Sequence, residues 1–427
     1  MVLIAIAITL VISNDFGTAS NTDMTAAANY RDEMRAHFLA RSAQNLAELV
    51  FQVQAKFDGP QMRQQLGPVQ ITDFADQIIL PFCGDAEQVQ DAVGFSTKDM
   101  EGLGADVGTC GFDGAFETED NKINLNCANI GVGQYKVAEM IKSALAALIY
   151  FPAYDPIFEE ADAEGWRRDR ETQVNAIIDY IDRDTTRGVL GGSNSGGGAE
   201  DYGYESLKDR YIAKNWYVDT LDEVKLARGV DDRFWSLFGN QLTVYGDCLV
   251  NLGAVTDPQL IAAILMLSTK DTTQPTYQDP RKLFMLAGVV AKAKQFGESF
   301  TKDDDFINFV KDPVTALGAL AGGGGMAGSA ATGGLAQNLG LPPGEKVGLV
   351  IDKALLAQVA TFSARRTYRV QAWGQIDRKA TNADGTPLFP PIRKTVTGIW
   401  NMGTTLQKSR KTGFDVPKGA WQFLRED

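Results

Sequence analysis

The pattern of apolar and polar positions opens with an unbroken apolar run. Met1 to Ile12, MVLIAIAITLVI, carries one threonine and no charge, and the first charged residue is Asp15. Such a run is shorter than the about 20 residues a bilayer-spanning helix needs. No basic residue precedes it, so it lacks the charged start of a secretory signal. It is expected to be the end of a membrane helix whose start lies upstream or whose leader has been removed, in preference to a buried core strand. From Tyr30 to Phe57 the apolar positions Tyr30, Met34, Phe38, Leu46, Val50, Val53 and Phe57 recur mostly at helical intervals, with Arg31, Glu33, Arg35, Arg41 and Glu48 between them. Together the two stretches predict one long helix, its first part in the membrane and its second part packed on a globular domain, stopped by Gly59 and Pro60.

Residues 61 to about 130 break into shorter elements and end in DNKINLN, Asp120 to Asn126. There Ile123 and Leu125 alternate with Asn124 and Asn126 as in a half-buried strand. VNLGA, Val250 to Ala254, echoes it, and the two are expected to mark where the chain enters and leaves an inserted domain. Between them, Tyr135 to Tyr150 and Glu171 to Ile181 read as helices. Thr220 with Glu223 forms a capping box opening another helix, closed by Gly229. Asp231 or Asp232 opens the next, closed by Gly239, and Asp257 followed by Pro258 opens a further one. Ala321 to Gly334, AGGGGMAGSAATGG, contains no phosphate-binding GxxxxGK[ST] and reads as a flexible connection. Strand patterns return from Ala360 to Ile376 and from Ile392 to Trp400, joined by a turn over Asn382 to Gly385 that favours antiparallel pairing. Lys408 to Asp427 has few regular signals.

Composition narrows the chemistry. The 427 residues are 44% apolar and 22% charged, as in an ordinary folded protein of two or three domains. A net charge of -13 repels nucleic-acid phosphates, and no basic patch offsets it, so nucleic acid is not an expected partner. The single histidine, His37, lies in a helical, Ala-rich stretch near the N-terminus; being alone it removes multi-histidine zinc sites, and having to reach a distant pocket it disfavours histidine-based nucleophilic catalysis. Cys83, Cys110, Cys127 and Cys248 show no CxxC spacing. An even number of cysteines beside an apolar N-terminus fits a disulfide-permissive compartment. Cys83 with Cys110 and Cys127 with Cys248 is the preferred pairing, but four cysteines allow three connectivities and sequence cannot choose among them.

The densest chemistry lies in Ile177 to Tyr204, where Asp179, Asp182, Asp184, Glu200 and Asp201 surround a glycine-rich loop with no lysine cluster nearby. In a chain almost without histidine, the counter-charge expected for these carboxylates is a hard cation such as Ca2+, which takes six to eight oxygens. Asp182, Asp184, Glu200 and Asp201 are the expected ligands, with Asp179 and Tyr204 beside them; backbone carbonyls of Gly191 to Gly198 and water would complete the shell. Two alternatives stay open. One is a solvated acidic loop. The other is an exported carbohydrate-active hydrolase using two of these carboxylates as acid and base, with Tyr202, Tyr204, Tyr211, Trp216 and Tyr217 as stacking surfaces.

The order of these pieces resembles the K-type minor pseudopilin of the bacterial type II secretion system, GspK. The residues that carry the resemblance are the apolar N-terminus, DNKINLN, IIDYIDRD at Ile177 to Asp184, GGAEDYGY at Gly197 to Tyr204, the Asn215 stretch, TLDEVKLARG at Thr220 to Gly229, and VNLGA. The resemblance implies an α+β fold: a pilin-like long N-terminal helix packed on a small antiparallel sheet, with a large inserted α-helical domain. On this reading residues 1–57 are the membrane and stalk helix, 58–127 the first part of the pilin-like domain, 128–344 the helical insert with the acidic loop, and 345–427 the second part with a tail. It implies a non-enzymatic subunit at the pseudopilus tip, anchored once in the inner membrane with its globular part in the periplasm. Its partners would be the I-type and J-type minor pseudopilins, and its helical domain would bind calcium. The glutamate most pilins carry near the mature N-terminus has no counterpart, since the first glutamate is Glu33.

Overall fold

A computed structural model describes residues 2–58, 62, 69–83, 108–114, 116–129, 135–160, 169–183, 185, 188, 204, 210–295, 300–321, 347–377, 389–403 and 419–427. The chain forms two compact units. One comprises Met1–Glu117 with Thr367–Asp427, and the other Thr118–Arg366.

The first unit is built on a single α-helix, Val2–Phe57. The apolar run at its start is helical and exposed, so the alternative of a buried core strand does not hold. A window of 18 residues has a mean hydropathy of 1.8 with none of it buried, so the helix is long and apolar enough to cross a membrane. Its second half packs on an antiparallel sheet in the order Thr109–Phe112, Thr367–Ile376, Ile392–Asn401, Ala420–Glu426. Ala36, Ala40, Ala43 and Ala47, spaced at helical intervals, are fully buried and form the contacting ridge. Small side chains on the helix are matched by a glycine on the sheet. A Cβ at Gly374 would stand 2.2 Å from the Ala36 carbonyl oxygen and 2.5 Å from the Ala40 nitrogen. Below this approach the rings of Phe116, Tyr368, Trp400 and Trp421 surround Phe51, with Tyr368 and Trp400 stacked on it at centroid distances of 5.2 and 5.8 Å.

Thr367–Ile376 and Ile392–Asn401 pair along their whole length, from Thr367 opposite Asn401 to Ile376 opposite Ile392, as the expected hairpin requires. The turn over Asn382 to Gly385 lies outside the described residues. The last strand, Ala420–Glu426, falls in a stretch from which little regular structure was expected. It joins because Trp421 packs against Trp400 at 5.1 Å and Phe51 at 6.4 Å. The Cys83–Cys110 disulfide ties the short helix Ala75–Cys83 to the first strand.

The second unit is helical around one core. Pro258–Leu267 lies at its centre, with every residue from Leu260 to Leu265 buried, as befits a helix apolar on all sides. Tyr135–Leu148, Pro280–Gln295 and Lys353–Val359 pack against it. Asp257 caps it, accepting from Gln259 and Leu260 N–H, and Asp231 caps Asp232–Phe238 by accepting from Phe234 N–H, as expected. Thr220 to Gly229 departs from expectation. Leu221–Leu226 is a 3-10 helix that the Thr220 hydroxyl does not cap. Glu223 instead accepts from Asp219 N–H at 3.0 Å and pairs with Lys214 at 2.6 Å, which draws it off the capping position.

The insert also has different limits from those expected. It runs from Thr118 to Arg366, beyond residues 128 and 344, and so takes in DNKINLN and the helix Lys353–Val359. VNLGA is not where the chain leaves it. Val250–Asn251 pairs in parallel with Ala360–Thr361, inside the unit. The second disulfide, Cys127–Cys248, closes within the same unit. Both bridges therefore follow the preferred pairing.

Replacing Gly374 by alanine should lower the stability of the sheet unit by about 2–3 kcal/mol, because backbone rather than a flexible side chain must move. Gly288 in Pro280–Gln295 has nothing within 4 Å of its would-be Cβ. Gly288→Ala should raise stability by about 0.5–1 kcal/mol. Urea unfolding of the two variants tests both signs. In the chain-entropy account the loops closed by the two disulfides correspond to about 3.5 kcal/mol for Cys83–Cys110 and about 5 for Cys127–Cys248. Double serine replacement at Cys127 and Cys248 should therefore lower the melting temperature more than replacement at Cys83 and Cys110.

Candidate functional site

The acidic stretch begins on a well-formed helix, Arg170–Ile181. Asp169 caps it by accepting from Thr172 N–H at 2.8 Å. The helix is buried on more than its apolar side: Gln173, Asn175 and Asp179 are enclosed along with Val174, Ile177, Ile178 and Ile181. The Asp179 carboxylate is fully buried and accepts from Gly188 N–H, at 3.1 Å to one oxygen and 3.2 Å to the other. Lys142, from the helix Tyr135–Leu148, brings a buried ammonium to the same place. A Cβ on Gly188 would lie 2.8 Å from Asp179 Oδ1 and 3.1 Å from Lys142 Nζ.

Asp182 caps the C-terminal end of that helix in an extended conformation, half-buried, with its N–H donating to the Ile178 carbonyl at 2.9 Å. The next residue is fixed from both sides. Arg183 Nε–H donates to Asn129 Oδ1 at 2.8 Å, and its guanidinium lies 4.4 Å from the Trp216 ring and 5.4 Å from that of Tyr217. Asn129 Nδ2 in turn donates to the Ile181 carbonyl. Asn215, in the left-handed region at φ 49°, donates its N–H to the Tyr180 carbonyl at 3.1 Å. The ending of the helix is thus held by two asparagines from different parts of the chain.

Asp184, Glu200 and Asp201 lie outside the described residues, as do Tyr202 and the loop Gly191 to Gly198. Of the expected set, Asp179, Asp182 and Tyr204 are among the described residues. Among the described residues no group of three or more His, Cys, Asp or Glu side chains is placed to hold a metal ion. Tyr204 is fully buried, its hydroxyl accepting from Arg228 N–H at 2.9 Å, and its ring lies 5.0 Å from Tyr211 and 6.4 Å from Tyr180. Tyr211 donates its hydroxyl to the Leu226 carbonyl at 2.7 Å. Tyr204 is a core residue and Tyr211 is tied to backbone; of the aromatics considered for sugar stacking, Trp216 and Tyr217 are exposed, and the Arg183 guanidinium already lies over both rings.

The two asparagine-bearing motifs turn out to be fasteners. Asn126 donates to the carbonyls of Val218 and Val244, both at 2.9 Å, and accepts from Val218 N–H, so it joins three segments. Asn124 donates to the Gly246 carbonyl at 2.8 Å. Asn251 donates its N–H to the Asp120 carbonyl at 2.7 Å and its side chain to the Ser363 carbonyl at 2.9 Å. Beside VNLGA, Lys294 donates to the carbonyls of Leu252 and Val255. Burial, with the Arg365 charge adding to it, pushes the Lys294 ammonium down to about 7. Asn129 and Lys294 carry no spacing signal, since their partners lie far away in sequence; Lys142 pairs with Glu139 at 3.5 Å on its own helix, a spacing that says nothing of Asp179.

Burial, helped by the charge of Glu223, pushes the Tyr180 hydroxyl up to about 12. The two groups act on stability in opposite ways with pH. Lys294 binds fewer protons folded than unfolded between about 7 and the ordinary lysine range near 10.4, so stability rises with pH across that window. Tyr180 retains its proton in the fold up to about 12, so stability falls as pH rises from the ordinary tyrosine range near 10. Urea unfolding at intervals from pH 6 to 11.5 should show a maximum near 10. Lys294→Met should flatten the rise, and Tyr180→Phe the fall.

No family model matches the chain, and no curated protein matches it. Among solved structures, the chain is similar to the crystal structure of the GspK-GspI-GspJ complex from the type 2 secretion system of enterotoxigenic Escherichia coli. The similarity covers 95% of this chain and 99% of that chain, at 12% identity and a TM-score of 0.44.

Proposed function

We propose that this chain is a minor pseudopilin of the K type, anchored once in the bacterial inner membrane with its globular part in the periplasm. There it caps the type II secretion pseudopilus together with I-type and J-type minor pseudopilins and takes part in protein export without being an enzyme. The observation that carries this reading is a division of labour along one helix. Val2–Phe57 starts as an exposed apolar segment and ends as the spine of an antiparallel sheet, and a helical unit, Thr118–Arg366, interrupts that sheet domain. An anchored helix that shares its own core with a sheet is suited to a subunit that assembles beside others at a membrane. A large insert is suited to blocking further addition at one end. The order of sequence motifs supports the same reading.

We also propose calcium binding in the insert, by Asp182, Asp184, Glu200 and Asp201. Support comes from the density of carboxylates and the glycine-rich spacing, which would let backbone carbonyls turn toward a hard cation.

Co-expression with I-type and J-type minor pseudopilins, followed by detergent extraction and size-exclusion chromatography, tests the assembly role. A stable complex with both is expected. Failure to bind either, together with polysaccharide hydrolysis lost in Glu200→Gln, would replace this reading with that of an exported hydrolase. For calcium, a ligand that binds only the folded state must raise its melting temperature, by about 1.4 kcal/mol of added stability per tenfold excess over Kd. The wild type should show this rise and Asp182→Asn a smaller one; an unchanged wild-type melting temperature at millimolar calcium removes the metal from the account.

A further inference from the structure

We infer that Asp179 is a positioning residue and not an ion ligand: with Lys142 it forms a buried charge clamp that closes on the backbone of Gly188 and fixes where the acidic loop begins. Both its oxygens are engaged by the Gly188 N–H, at 3.1 and 3.2 Å. A hydrogen bond from backbone N–H and a neighbouring ammonium are two of the interactions that stabilise a carboxylate in its charged form. Asp179 Oδ1 and Lys142 Nζ both lie close to the point a Gly188 Cβ would occupy. That places the two charges within the ~4–6 Å over which opposite charges strongly support each other. Neither is open to solvent: Asp179 is 0% exposed and Lys142 3%. A carboxylate neutralised inside the protein has little to offer a second cation, and an ion placed there would face the Lys142 ammonium.

Gly188 completes the clamp. With a side chain it could not come this close, because its Cβ would meet Asp179 Oδ1 at 2.8 Å and Lys142 Nζ at 3.1 Å, while Asn175 Oδ1 stands at 3.8 Å. The clamp therefore joins three elements, the helix Tyr135–Leu148, the helix Arg170–Ile181 and the start of the loop. Its partners are all protein groups, so the clamp needs no ion to form. The inference rests on the calcium reading only for the ion-binding part of its test.

The test compares Asp179→Asn, Lys142→Met and the double variant in the full chain. Lys142→Met strands the Asp179 charge in the interior and should lower the melting temperature by about 6–12 °C, while Asp179→Asn leaves Lys142 its pair with the half-exposed Glu139 at 3.5 Å and should lower it less. The double change should recover most of that loss. Amide exchange at Gly188 should quicken at least tenfold in Asp179→Ala and stay near wild type in Asp179→Asn, which keeps an acceptor for the N–H. Asp179→Asn should also keep the calcium midpoint within threefold of wild type, while Asp182→Asn shifts it tenfold or more. Additive losses in the double variant would overturn the clamp. So would an Asp179→Asn protein of normal calcium-free stability that no longer responds to calcium, since that is how a ligand behaves. If the single variants do not fold, Gly188→Ala decides: a large loss of stability supports the clamp and a neutral change refutes it. If the wild type shows no response to calcium, the metal reading fails while the calcium-free arms still judge the clamp.

Discussion

The sheet unit depends on how closely one helix can approach one strand. Four alanines on Val2–Phe57 and a glycine at 374 bring backbone against backbone, so the Ala36 carbonyl, the Ala40 N–H and the Leu39 Cβ crowd the place a Gly374 side chain would need. Such an approach gains little per residue from burial, because alanine and glycine bring little apolar area. Its value is geometric, since it lets the helix settle deeply enough for Phe51 to reach Tyr368, Trp400 and Trp421 on the sheet. The aromatic cluster supplies the area, and burying rings of this size is worth several kcal/mol. Surface ion pairs such as Lys394–Glu33 at 2.5 Å and Arg41–Glu426 at 3.1 Å align the strands with the helix but, exposed as they are, add little.

The helical unit is held by a different balance. Its apolar core is large, but its connections run through buried and half-buried polar side chains. Asn126, Asn129, Gln173 and Asn251 each satisfy backbone groups of segments more than 50 residues away. A buried amide that lost its partner would cost about 1–3 kcal/mol, so each is a strong constraint on where its loop can lie. The loops of this unit are thus defined by a few directional bonds, in contrast to the sheet unit, where shape and area dominate.

How much of this could be read from the sequence follows from the same contrast. The long helix was legible because its large apolar residues recur at helical spacing, yet the alanine ridge that makes its closest contacts was not, since alanine hardly enters such patterns. The hairpin was legible from alternation over ten-residue strands. Ala420–Glu426 was not, because a register shift beside Trp421 breaks its alternation and its packing on Phe51 and Trp400 rests on Trp421, which looks like an isolated aromatic. The capping box at Thr220 failed because Lys214, six residues earlier, competes for Glu223. At the acidic stretch the sequence shows the density of carboxylates but not their neighbours. Lys142 sits between Ile141 and Leu145 on an apolar helix, and nothing in its spacing announces a buried cation facing Asp179.

An insertion this large is compatible with the sheet only if its two ends come together within the insert itself. Asp120, two residues inside its first end, does this: its carboxylate accepts from the N–H of Arg366, the last residue of the unit, while its carbonyl accepts from Asn251 N–H. One residue therefore joins the beginning, the middle and the end of the insert. Neighbouring termini are the condition under which a domain can be spliced into another without straining it. With separate cores and a separate disulfide in each unit, the sheet strands that flank the insert are spared the task of holding it shut. The DNKINLN motif, which reads in sequence as a half-buried strand at the entry to the insert, serves through Asp120 as the fastening of that insert.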